Sequence, residues 1–220
     1  MGYSFENNKI IITVQHTESV HHTNGHVGAW GDWPLSERGR EQARAIGRWL
    51  LPEMKGIDGD AEKKWIMYSS DLQRAAMTAE GINETLGLVP EFRQVIREVN
   101  AGEGNGKLYS WYVENKLPRT KEGFDPDYRP FADAESDRDV WNRLLPFYKE
   151  ITESPENRIL IVSHGTALSF LQAMLCGYEL EDRGRIRFHG KAGSVSRFEI
   201  EPDGQRVVQY LNRTIPIDYT

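Results

Sequence analysis

Two apolar runs in this sequence stop on a histidine. Ile12-Thr13-Val14-Gln15-His16-Thr17-Glu18-Ser19 and Ile159-Leu160-Ile161-Val162-Ser163-His164-Gly165-Thr166 share one arrangement: apolar residues, a polar residue, then the imidazole. An imidazole titrates near neutrality, so it serves as base, nucleophile or hydrogen-bond donor according to what faces its two nitrogens. Between the runs, Ser69-Ser70-Asp71-Leu72-Gln73-Arg74 supplies a guanidinium, whose planar fork of donors suits an anion with several oxygens. Such groups act together only if the fold brings His16, Arg74 and His164 to one place.

The pattern of elements does so. Lys9 to Val14 is a nearly continuous β-branched run, as in a strand buried on both faces of a parallel sheet, and His16 follows its carboxyl end. A loop rich in Gly, His and Trp (His21 to Trp33) precedes Pro34-Leu35-Ser36-Glu37, which opens a helix with Ser36 as cap; Leu35, Ala43, Ile46 and Leu50 form its apolar side. Trp65 to Tyr68 reads as a second strand. Ser70 and Gln73 have capping-box spacing, which puts Arg74 in a first helical turn with its side chain leaning back over the strand end. Phe92 to Val99 is expected to be extended, Asp139 to Ile151 helical, Arg158 to Val162 a strand and Thr166 to Leu175 a helix. Arg197 to Ile200 and Arg206 to Leu211 flank the hairpin signal Asp203-Gly204. Strands alternating with helices imply an α/β fold, a three-layer α/β/α sandwich with a mostly parallel central sheet. In such sheets ligands bind beyond the carboxyl ends of the strands, where His16, Arg74 and His164 all fall.

The remaining segment, about 101 to 138, interleaves Tyr109, Trp111, Tyr112, Phe124, Tyr128 and Phe131 with Lys107, Lys116, Arg119, Lys121 and Arg129, and is read as a small inserted lid on a single domain spanning 1–220. A chain of 220 residues, 39% hydrophobic and 27% charged, can bury a core without staples. Its one cysteine, Cys176, excludes an intrachain disulfide and suits a reducing compartment. Met1-Gly2-Tyr3-Ser4-Phe5-Glu6 has neither a basic region nor an apolar core, and Glu6 stands where acylation requires Ser or Thr, so no leader or lipid signal is expected. Apolar runs fall far short of the roughly 20 residues that span a bilayer, and the cytoplasm is the default location. The net charge of −6 disfavours nucleic acid and acidic membranes as partners and requires a local basic cluster for any anionic ligand.

With these residues in place, the chain resembles the histidine phosphatase superfamily, the phosphoglycerate-mutase-like fold. Gln15-His16-Thr17-Glu18-Ser19 corresponds to that family's Arg-His-Gly-Glu-Thr motif, and Pro34-Leu35-Ser36-Glu37-Arg38-Gly39 is also typical. Tyr68 to Ala75 looks like the segment with its second phosphate-binding arginine, Arg97 to Glu103 like the stretch bearing its acid, Ala134-Glu135-Ser136 like a Gly-Glu-Ser signature, Val162-Ser163-His164-Gly165 like the second histidine and Gly193-Ser194-Val195 like a segment near the last strands. The resemblance implies catalysis by His16 as nucleophile, Arg74, His164 and Glu98 as acid, with Glu103 its rival. The phosphate-binding set would be Gln15, His16, Arg74, His164 and the helix start at Gly165 and Thr166. No cofactor and no metal are implied. The reaction would be hydrolysis of a small phosphorylated metabolite by way of a phosphohistidine, releasing inorganic phosphate. A phosphoglycerate mutase-type transferase and a phospholigand-binding pseudoenzyme are the alternatives. The last is prompted by Gln15, which replaces the family's arginine; one such donor is worth about 3 kcal/mol of transition-state stabilisation. Lys107, Arg97, Arg129 and His22 are candidate replacements, and Thr17 offers a hydroxyl.

Other chemistries fit the spacing less well. Gly102, Gly104, Gly106 and Lys107 suggest a phosphate loop, but Ala101 and Leu108 occupy its required Gly and Ser or Thr positions. His21, His22 and His26 in a Gly-rich loop lack metal-site spacing and are expected to be solvated or substrate-facing. There is no Gly-x-Ser-x-Gly elbow for an esterase.

Overall fold

The computed structural model describes residues 8–58 and 64–218, so the N-terminal segment read for a leader lies outside the described residues. Among these, six strands form one sheet: β1 (Lys9–Gln15), β2 (Ile66–Ser69), β3 (Pro90–Phe92), β4 (Arg158–Ser163), β5 (Ser194–Ile200) and β6 (Arg206–Thr214). Their spatial order is β3-β2-β4-β1-β5-β6. β3, β2, β4 and β1 pair in parallel, while β5 and β6 add an antiparallel edge.

The side chains of β1 explain its uninterrupted apolar run. Ile10, Ile12 and Val14 pack with Ile46, Trp49 and Leu50 of α2 (Glu37–Asp58), the helix after the one-turn α1 (His21–Asn24), and with Ala75, Ala79 and Ile82 of α3 (Gln73–Leu86). Ile11 points the other way, into a cluster with Val140, Leu144 and Phe147 of α5 (Asp137–Glu153) and Leu168, Phe170 and Leu171 of α6 (Gly165–Leu175). Helices thus cover both faces of the sheet, and each buried branched side chain stabilises the fold by roughly 1.5–3 kcal/mol. No helix of the described residues is long and apolar enough to cross a membrane.

Three local expectations need correction. The run Phe92 to Val99 is not one strand: β3 ends at Phe92, and a 3₁₀ turn at Gln94–Ile96 drops Ile96 into the core, where its carbonyl takes the Ser163 hydroxyl at 2.6 Å. The capping box at Ser70 and Gln73 does not form. Ser70 Oγ accepts from Leu72 N–H at 3.3 Å, and Gln73 N–H is satisfied by Asp32 Oδ1 at 2.7 Å, from a loop 41 residues earlier. A capping box does form at Ser136 and Asp139, so α5 begins at Asp137. Ser36 caps α2 as expected, its Oγ accepting Gly39 N–H at 3.0 Å.

Segment 101–138 holds a 3₁₀ turn (Gly102–Gly104) and α4 (Tyr109–Asn115), with the Trp111 and Phe131 rings stacked at 5.7 Å. It is tied to the His21–Trp33 loop by Val27 N–H to Lys107 O at 2.8 Å and Tyr109 N–H to Gly25 O at 2.8 Å.

Candidate active site

The parallel register of β1 and β4 pairs Gln15 with Ser163, so the residues that follow, His16 and His164, leave the sheet side by side. His16 N–H continues the ladder to Ser163 O at 2.8 Å, and the two rings meet edge to face at 5.1 Å. Arg74, in the first turn of α3, reaches the same point. His16 is 3% exposed, Arg74 1% and His164 0%.

The hydrogen bonds define the state of His16. Its Nδ1 lies 2.8 Å from Thr17 O, so Nδ1 carries the proton; its Nε2 accepts from Arg74 Nε at 3.2 Å, so the lone pair is there. Burial, then Arg74 and His22, push its pKa well below the usual 6.5, and the ring is neutral. Arg74 is held by two loop carbonyls, Gly31 O at 2.8 Å and Ala29 O at 2.6 Å. Desolvation lowers its pKa to about 10, and Glu98 and Asp32 oppose that shift. His164 is also driven neutral by burial and Arg74. Its Nε2 is 2.8 Å from Ser70 Oγ, while its buried Nδ1 has no hydrogen-bond partner beside His16.

Glu98 lies between these groups and the start of α6. Its Oε2 accepts from Thr166 N–H at 3.1 Å, and its Oε1 from Ala167 N–H at 3.0 Å and Val99 N–H at 2.9 Å. The amide of Thr166, expected to meet phosphate, is therefore held by the Glu98 carboxyl group. Glu103 is exposed on the 3₁₀ turn and outside the cavity wall.

A cavity of about 700 Å³ is lined by Gln15, His16, Arg74, Glu98, Gly165 and Thr166, while the fully buried His164 lies outside its lining. Gln15 lies between two glycines: a Cβ on Gly165 would come 3.1 Å from its Nε2, and one on Gly190 3.0 Å from its Oε1. Among the four candidate replacements for the missing arginine, the fold separates three from the site. Arg97 is spent on Asp71 at 2.7 and 2.6 Å, Lys107 sits over the Trp111 ring, and Arg129 bonds Asp139 and Ala134 O. His22 lines the cavity. The Thr17 hydroxyl turns away, 3.2 Å from Thr78 Oγ1.

His21, His22 and His26, expected to be solvated or substrate-facing, all line the cavity. The His22 ring lies parallel to that of His16 at 5.4 Å, with His21 4.0 Å from His22. One ring nitrogen from each of the three falls within 4.8 Å of the others, close enough to suggest a cation site. The hydrogen bonds argue otherwise, because His16 Nε2 faces the Arg74 guanidinium and His22 Nδ1 accepts Ser19 N–H at 3.1 Å. His26 packs apart, against Trp33.

Sequence reasoning missed the far wall of the cavity. Arg183, only 4% exposed, lies over the Phe170 ring at 3.5 Å and donates to Ser169 Oγ at 3.0 Å. Asp137 and Arg187 stand near it and also line the cavity. No spacing signals this group, since a 3₁₀ turn, α5 and α6 assemble it only in the tertiary fold.

The sequence profile of the histidine phosphatase superfamily (branch 1) matches residues 11–213. Phosphoserine phosphatase 1 of Hydrogenobacter thermophilus is 29% identical over 176 residues, 77% of this chain and 77% of that one. A 2,3-bisphosphoglycerate-dependent phosphoglycerate mutase of Methylobacterium radiotolerans is 28% identical over 180 residues, 77% of this chain and 80% of that one. Among solved structures, mycobacterial glucosyl-3-phosphoglycerate phosphatase has a TM-score of 0.74 at 22% identity, over 93% of this chain and 99% of its own. Alpha-ribazole phosphatase from Shigella flexneri has a TM-score of 0.74 at 22% identity, over 94% of this chain and 97% of its own. At that identity the likeness is one of fold.

Proposed function

Because this chain belongs to the histidine phosphatase superfamily, we propose that it hydrolyses a small organic phosphomonoester through a phosphohistidine at His16. The observation that carries this reading is the state of His16: a neutral ring whose proton is fixed on Nδ1 by Thr17 O and whose Nε2 lone pair faces the cavity group Arg74.

The chemistry runs in two displacements. His16 Nε2 attacks phosphorus, and the bond to the ester oxygen breaks as that oxygen takes a proton from Glu98. The Arg74 Nε–H passes from the histidine lone pair to a phosphoryl oxygen, while the loop carbonyls of Ala29 and Gly31 keep the guanidinium oriented. His164 lends the N–H of its otherwise unpartnered Nδ1 to the charge that develops on phosphorus. In the second step Glu98, now a carboxylate, takes a proton from water, whose oxygen attacks phosphorus. The P–N bond breaks, neutral His16 returns and inorganic phosphate leaves. Hydrolysis is favoured over transfer between sugar or acid oxygens because exposed residues line the cavity mouth, among them Thr166, Tyr109 and Arg187, so water reaches a phosphoenzyme.

Protein incubated with a ³²P-labelled phosphomonoester and quenched in base should carry acid-labile, base-stable phosphate, and His16→Ala should carry none. Label that persists in His16→Ala would remove His16 from its role. Substrate binding with neither label nor phosphate release would instead identify a binding protein.

A further inference from the structure

Gln15 leaves the end of β1 without a cation, and none of Arg97, Lys107 or Arg129 lines the cavity. The loop after β1 provides a different donor. Ser19, fully buried, governs both neighbouring imidazoles. Its backbone N–H donates to His22 Nδ1 at 3.1 Å, which leaves the proton of the neutral His22 ring on Nε2. Its hydroxyl donates to Pro34 O at 2.8 Å and so has only lone pairs for His21 Nδ1 at 3.0 Å, which fixes His21 in the opposite tautomer. Burial of its packed side and the Arg74 guanidinium hold His22 below its usual pKa, against the pull of Glu18. The groups facing it are His16, His21, Arg74 and Glu18. His22 is thus a neutral ring with a fixed N–H, stacked on the nucleophile in the cavity wall.

We propose that His22 Nε2–H binds the phosphoryl group alongside Arg74, in the role that Gln15 leaves open, and that Ser19 is the residue positioning it. The proposal rests on the phosphomonoesterase reading. A neutral donor binds phosphate without adding charge, and it persists at alkaline pH, where a histidinium would be lost.

The test measures inorganic phosphate binding by calorimetry and turnover of p-nitrophenyl phosphate on the full chain carrying His22→Ala, Gln15→Arg or both. His22 is exposed, so its truncation spares the core. His22→Ala should weaken phosphate binding at least tenfold and lower kcat about a hundredfold, the typical cost of one such donor. Gln15→Arg should restore most of that loss in the His22→Ala background and add little to the wild type, and His22→Gln, which keeps an N–H, should lose less than alanine. Ring ¹⁵N spectra should show His22 protonated on Nε2, with that nitrogen shifting when phosphate binds. Binding and kcat of His22→Ala within twofold of wild type, equal gains from Gln15→Arg in both backgrounds, or a proton on Nδ1 would each overturn the proposal. Failure of wild type to bind phosphate at all would do the same. Wild type that binds phosphate but hydrolyses nothing would sink the hydrolase reading alone, and the binding data would still decide the role of His22.

Discussion

Glu98 joins two duties in one side chain: it holds the first amides of α6 and lies close enough to Arg74 to raise its pKa. If it is also the acid, Glu98→Gln should leave the helix start capped through the amide oxygen but remove the proton. Turnover should then fall by about 10²–10⁴-fold for alkyl phosphates and far less for nitrophenyl phosphate, whose leaving oxygen needs no proton. Equal losses for both would assign the acid elsewhere. At this scale the sequence was informative wherever a residue ends a strand: His16, His164 and Arg74 are fixed by the hydrophobic runs that precede them. It was silent on Arg183, whose neighbours Asp137, Ser169 and Phe170 come from two different helices. It misjudged Thr17, because only packing against α3 shows that its hydroxyl is already engaged by Thr78.

The elements hold the loop after His16 by contacts that tolerate little change. Gly39, three residues into α2, approaches the carbonyl of Glu18 so closely that a Cβ would collide with the oxygen. The same carbonyl accepts Ser36 N–H at 3.0 Å, and Glu18 N–H reaches Gln42 Oε1 at 3.0 Å, so the helix start and the residues after His16 form one strapped unit. Gly39→Ala must push them apart. It should cost about 1–3 kcal/mol, as overpacking does, and lower Tm by several degrees. Activity should fall further than Gly56→Ala, a helix position with nothing within 4 Å of a new Cβ. An unchanged melting curve would mean that the loop has slack. Cap chemistry was readable from sequence where donor and acceptor are local, as at Ser36. It failed at α3, where Asp32 arrives from another loop, and at Phe92 to Val99, where an extended pattern continues after the sheet has no further strand to pair with it.

For the molecule as a whole, the neutral imidazoles of the site set the response to acid, His21 and His22 as well as the fully enclosed pair. The folded-state pKa values of His16 and His164 both lie well below the unfolded 6.5, so below that pH the unfolded chain binds more protons than the native one. Stability is therefore full above about pH 6.5 and declines as pH falls beneath it, by up to about 1.4 kcal/mol per pH unit for each ring. Tm should drop between pH 7 and pH 5, before the hydrogen-bonded carboxylates Asp71 and Asp139, held below 3.8, begin to protonate. His16→Asn should flatten the decline; a wild-type Tm constant over that range would contradict the assignment of neutral, buried rings. The three-layer sheet was legible in the alternation of runs, while the bonds joining segment 101–138 to the His21–Trp33 loop were not, since two of them pair backbone groups and the third sets the Trp30 N–H on the Asn105 side chain 75 residues away.

The seclusion of His16 also governs how this protein meets reagents. Both its nitrogens are engaged, Nδ1 by Thr17 O and Nε2 by Arg74, and His164 is fully buried, whereas His189 stands exposed in the cavity wall. An electrophile such as diethyl pyrocarbonate will acylate His189 ahead of His16 and His164, so modification at the cavity mouth will precede any at the buried pair.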